Sequence, residues 1–217
     1  MSTQASLKDQ NAWLIRGVLL AHFLAFSFIA FEPELLAQMT GPDTLSWARS
    51  ALTPGSLSLA VIVLAKLVLL GLVPSKLRDR LIHWHWRHPL PGSRAFTKLG
   101  PDDNRVDIAR LESIYGPLPY DPAEQDRMFY RIYLCHRDDV GVLDAHRAYL
   151  AARDIGILNL ILLFLLPGLA WWATDDGTRA GTYATALLLA YVLTAFAAQR
   201  YAIRMVENTL AVASTKT

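Results

Sequence analysis

The sequence predicts an all-α membrane protein: a four-helix transmembrane bundle with a small helical cytoplasmic domain between spans 2 and 3. Three observations carry that expectation. The chain is 53% hydrophobic and only 18% charged, and its mean hydropathy is +0.26. Its apolar residues gather into four long runs instead of scattering with a strand or surface-helix period. Basic residues flank one side of every run, while acids dominate the short connections on the other.

The elements follow in order. Residues 1–10 are a short polar tail, and residues 1–74 form that tail with a first transmembrane hairpin. Its spans cover about 13–31 and 57–73, each close to the length a helix needs to cross a bilayer. Glu32, Pro33 and Glu34 follow the first run where a cleaved leader would carry small residues, so it reads as a retained anchor. The loop after it carries Glu32, Glu34 and Asp43 against Arg49 alone. Residues 155–217 form a second hairpin, with spans about 155–172 and 183–198, and a C-terminal tail. Pro167-Gly168 is expected to break the third span, and Trp171-Trp172 to mark its interface. The charge bias predicts a multi-pass protein of the cell inner membrane with both termini cytoplasmic.

Residues 75–154 are the cytoplasmic helical domain. The stretch after Ser75 reads as an extension of the second span, with Trp84 and Trp86 near headgroups. Residues 89–104 hold too much Pro and Gly for a regular element and read as an ordered loop. A short helix runs from about Val106 to Tyr115, stopped by Gly116 and Pro117. Asp121-Pro122-Ala123-Glu124 is a helix start, with an acceptor at the cap and Pro in the first turn. That helix extends to about His136, and another starts at Asp138 or Asp139 and passes into the third span.

Lys66 stands near the middle of the second span, where a lysine costs several kcal/mol (~3 on insertion scales) unless it pairs or meets water. His22 falls at a similar depth in the first span. Lys66 and His22, with Tyr191 and Thr194 on the alanine-rich fourth span, are the candidate pore or gate residues. A static polar contact inside the bundle is the competing reading.

For an anionic ligand the candidates are Arg94, Lys98, Arg105, Arg127, Tyr130, Arg131, Arg137, His146 and Arg147. Guanidinium forks beside aromatic planes suit phosphate and base recognition. His146, Tyr149 and Arg153 also share a helical face at i, i+3, i+7. Twelve acids in the same block nearly balance the bases, so a solvated face with local ion pairs is the alternative. His83, His85 and His88 make a poor tetrahedral set on a helix, so no metal is expected. Cys135 is the single cysteine. No phosphate-binding loop, nucleophile elbow, zinc-protease motif or dinucleotide turn occurs, so neither an enzyme nor a cofactor is expected.

Five pieces of the central block carry a resemblance: LPGSRAFT (90–97), DNRVD (103–107), YGPLP (115–119), Glu124-Gln125 and HRAYLAARD (146–154). In these the chain resembles small four-pass membrane effectors of bacterial anti-phage defence, of the Hailong type, which are paired with a nucleotidyltransferase. The resemblance covers roughly a third of the chain. It implies a homo-oligomeric ion channel in the membrane, opened or held shut by the nucleotide or oligonucleotide product of that partner. One four-span subunit encloses no wide path, so symmetry would supply it, with a tetramer favoured. The rival reading is a non-conducting adaptor that recruits a protein partner through its cytoplasmic helices. A small transporter is disfavoured because no inverted repeat emerges.

Overall fold

The computed structural model describes residues 11–31, 57–68 and 71–215, and every regular element among them is helical. Helix α1 is Ala12–Phe31 and α2 covers Leu57–Val68. They are followed by α3 (Ser75–His83), α4 (Ile108–Tyr115), α5 (Pro122–His136), α6 (Val140–Thr174) and α7 (Gly177–Thr215). The loop connecting the first two apolar runs lies outside the described residues. The chain forms two compact units. One, the apolar unit, comprises Met1–Pro74 and Asp154–Thr194; the other, the central unit, comprises Ser75–Arg153 and Ala195–Thr217.

Two helices, α6 and α7, are long and apolar enough to cross a membrane, whereas α1 and α2 contribute shorter apolar stretches, Ala12–Phe28 and Leu57–Val68. At 35 and 39 residues, α6 and α7 exceed the roughly 20 residues that a bilayer core accommodates. The surplus is spent in the central unit. There the last part of α7 buries Val206, Leu210 and Ala213, one residue per turn, against Phe96, Leu99, Leu111, Phe129 and Ile132. Truncating a fully buried leucine such as Leu210 in such a core costs about 2–5 kcal/mol.

Several local expectations change. Helix α6 passes through Pro167 without a break. Proline is tolerated in long apolar helices because neighbouring groups re-satisfy the carbonyl it frees. A turn at residues 72–74 separates α3 from the preceding apolar segment, so α3 is not its direct continuation. Residues 91–102 are not an irregular loop but a succession of helical turns: 3-10 at Pro91–Arg94, π at Ala95–Leu99 and α at Gly100–Asp102. The cause is a distant partner. The Gln125 side chain, 1% exposed, accepts from Phe96 N at 3.0 Å and from Thr97 N at 3.3 Å, and its amide donates to Tyr120 O at 2.9 Å.

The α5 start is as expected. Asp121 caps it, accepting from Ala123 N (3.0 Å) and Glu124 N (3.1 Å), with Pro122 in the first turn. Likewise α4 is capped by Asp107 and stopped at Gly116, whose φ of 85° suits glycine. Helix α6 opens on the Asp139 carbonyl, which accepts from Val142 N and Leu143 N.

In the apolar unit a stripe of Leu158, Leu162, Leu166 and Ala170 is fully buried along α6, and Phe164, Trp171 and Trp172 point outward. Asn159, 2% exposed, ties three helices together. Its Oδ1 accepts from His22 Nε2 at 2.8 Å, and its Nδ2 donates to Thr194 Oγ1 at 3.4 Å. The Thr194 hydroxyl in turn donates to Ala190 O.

Candidate ligand cavity

The central unit holds a cavity of about 400 Å³, within the range of small-molecule sites. Five stretches build it. The turn at Leu90–Gly92 forms one wall, α5 offers Asp126, Arg127, Phe129, Tyr130 and Tyr133, and α6 offers His146, Tyr149, Leu150 and Arg153. Asp79 from α3, with Ala202 and Met205 from α7, completes it. The α5 residues converge because 126, 129, 130 and 133 recur at helical spacing on one side; the α6 set recurs at 146, 149, 150 and 153 for the same reason.

Gly92 is required by this packing. A Cβ there would lie 2.5 Å from Asp126 Oδ1 and 2.8 Å from Phe129 Cδ1. Only a residue without a side chain lets the Pro91–Arg94 turn approach α5 so closely.

Two polar systems fix the walls. Tyr133 Oη and His146 Nδ1 are 2.7 Å apart, and their rings meet edge to face at 5.3 Å. Burial lowers the His146 pKa, so the imidazole is neutral at pH 7 and can accept the tyrosine hydroxyl. On the other side Asp79 Oδ1 accepts from Tyr149 Oη at 2.8 Å and from Arg153 Nη1 at 3.1 Å, with all three residues buried. Burial first, then the Asp79 charge, raises the Tyr149 pKa, so the phenol stays protonated as a donor. The Arg153 guanidinium also lies 5.6 Å from the Tyr149 ring centroid.

The electrostatics limit what the cavity accepts. Asp79 and Arg153 neutralise one another, which leaves Asp126 and Arg127 as its other formal charges. Burial raises the Asp126 pKa, partly offset by nearby His88. Arg127 is exposed, and its Nε donates to Ala123 O at 3.3 Å. The cavity therefore presents aromatic faces and one accessible guanidinium, not a concentrated positive field.

The candidates from the sequence divide. Arg127, Tyr130 and His146 line the cavity, as do Tyr149 and Arg153. Arg94 is half-buried at the end of the 3-10 turn, while Lys98 and Arg131 are exposed; none of the three lines the cavity. Arg105 is occupied elsewhere, paired with Asp103 at 2.7 Å and donating to Asn208 Oδ1 at 3.0 Å. Arg137 lies 3.7 Å from Asp138 on the surface, and Arg147 is half-buried. Asp79, Phe129 and Tyr133 were not singled out by the sequence. Asp79 carried no signal, because its partners lie 70 and 74 residues away. Tyr133 was detectable, lying three residues after Tyr130 on the same helical face.

Of the gate candidates, His22 and Thr194 are joined through Asn159, Tyr191 is buried on α7, and Lys66 is half-buried on α2. Comparison with protein-family models, curated proteins and solved structures returned no match.

Proposed function

We propose that this chain is a membrane effector that assembles as a homo-oligomeric ion channel, with four spans per subunit and the central unit on the cytoplasmic side. A nucleotide or oligonucleotide bound in the central cavity gates it, in antiviral defence alongside a nucleotidyltransferase. The observation that carries this reading is the role of α6. One unbroken helix contributes His146, Tyr149 and Arg153 to the cavity wall and Asn159 to the polar link among the apolar helices. A ligand that binds one arrangement of that helix better than another biases both ends of it.

The cavity's chemistry favours a base against the tyrosine rings with a single phosphate at Arg127, over a polyphosphate. Stacking on aromatic rings is worth about 1–3 kcal/mol per base and tolerates different bases. Oligonucleotide titration of the purified full-length protein at several salt concentrations tests it. One phosphate neutralised on a single strand gives a slope of about −0.7 in log K against log salt. Arg127→Gln should remove about that much slope, and Tyr133→Ala should weaken binding at every salt concentration. Binding indifferent to both substitutions contradicts the assignment.

The adaptor reading draws on a different observation: Tyr120, Tyr130 and Leu134 are exposed on and just before α5. A protein that binds no oligonucleotide and passes no current, yet captures a partner through these residues, would favour it.

A further inference from the structure

A second surface of the central unit has its own chemistry. Between Ser75 and Gly100 the sequence carries six Lys or Arg residues and one acid, Asp79. That acid is buried and bonded to Arg153 and Tyr149. Helix α3 is therefore divided by face. Arg78, Asp79, Ile82 and His83 point inward, while Lys76 and Arg80, one turn apart, are exposed. Past the helix end Trp84, His85, Trp86 and Arg87 are exposed as well.

Trp84 is held in a conformation that its side chain disfavours. Its φ is 54°, in the left-handed region, at the position just past α3 where helices commonly place glycine. The conformation is fixed from two sides. The Trp84 ring meets Phe196 edge to face at 5.1 Å, and Gln199 Nε2 donates to Ile82 O at 2.8 Å, satisfying a carbonyl of the last helical turn. Even so held, Trp84 remains 45% exposed and Trp86 66% exposed. A partly exposed indole thus stands at a position where glycine would be unstrained.

We infer that Lys76, Arg80, Trp84, Trp86 and Arg87 form a binding surface for anionic phospholipid headgroups. Indoles favour the boundary between hydrocarbon and headgroups, and an acid-free row of cations complements lipid phosphates. The row begins immediately after Pro74, which ends the second apolar segment of the sequence. Buried placement of the one local acid removes the carboxylate that would otherwise repel such a surface.

The inference rests on the chain being membrane-embedded, and the experiment separates the two. Membranes from expressing cells are first washed with alkaline carbonate; release of the chain would defeat the membrane reading itself. Full-length protein that resists the wash is purified in detergent, incubated with equimolar phosphatidylglycerol and phosphatidylcholine, and its retained lipids are counted by native mass spectrometry. The expected result is at least threefold preference for phosphatidylglycerol, abolished in Arg80→Gln/Arg87→Gln. Trp84→Gly, in which glycine adopts the left-handed conformation freely, should elute as wild type and lose at least half of the preference. Equal retention of both lipids by wild type, or an undiminished preference in either variant, overturns the inference.

Discussion

Removing the Asp79 carboxylate is the sharpest test of how the central unit is held together. In Asp79→Ala the buried Arg153 guanidinium and the Tyr149 hydroxyl lose their shared acceptor at 3.1 and 2.8 Å. Breaking a buried pair from one side costs about 3–5 kcal/mol, because the remaining charge loses a buried counterion. Arg153 keeps the Tyr149 ring at 5.6 Å, which places the expected loss at the lower end, about 3 kcal/mol. Hydrogen exchange of the full-length protein in nanodiscs reads this directly: amides of α3 should lose protection by about a hundredfold, at 1.4 kcal/mol per decade. Tyr149→Phe, which removes one bond to a charged acceptor, should cost about 1.5 kcal/mol. The double variant Asp79→Ala/Arg153→Met should recover most of the loss, since no unpaired charge remains. Protection in Asp79→Ala that falls less than threefold, or a double variant worse than the single, would refute the reasoning.

Three further outcomes follow from the same unit. His83 is buried, its Nε2 has no hydrogen-bond partner among the described residues, and burial above all lowers its pKa to about 4. The unfolded chain takes up that proton near 6.5 and the folded one only near 4, so stability is full above pH 6.5 and falls as pH drops toward 4, by up to about 3 kcal/mol. His83→Leu should flatten thermal stability between pH 6.5 and 5; an unchanged slope contradicts the assignment. Gly92→Val should overpack the turn against Asp126 and Phe129, costing about 1–3 kcal/mol and weakening oligonucleotide binding in the same titration. Gln125→Leu strands the buried Phe96 amide at a cost of about 1–3 kcal/mol, and exchange at residues 95–99 should rise more than at α4.

How far the sequence revealed these features depended on the range of the interaction behind each. The α5 start was legible because Asp121 acts on amides two and three residues away, whereas the α4 start was placed at about Val106 and the Asp107 cap puts it at Ile108. The helical winding of residues 91–102 was not, since Gln125 imposes it from 28 and 29 residues away. Pro167 misled because a long apolar helix can carry an internal proline, as α6 does, so the residue alone does not end the helix. Within the cavity, helical spacing identified Arg127 and Tyr130 on α5 and His146, Tyr149 and Arg153 on α6. It gave no means of knowing that these two faces meet, or that Asp79 closes them. Charge counting also hid the exposed cations of α3, because Asp79 was weighed as a surface acid when the fold buries it. Four of the five central-block segments quoted from the sequence have structural work here: Gln125 binds Phe96 and Thr97, Asp103 pairs Arg105, and Tyr149 and Arg153 line the cavity.

Planar-bilayer recording on the purified full-length protein, with its oligomeric state measured alongside, tests gated conduction most directly. Discrete currents are expected whose open probability changes when oligonucleotide is added on the side of the central unit, with the response lost in Arg127→Gln/Tyr133→Ala without loss of the oligomer. An intact oligomer that passes no current with or without oligonucleotide, or whose current ignores it, contradicts the account.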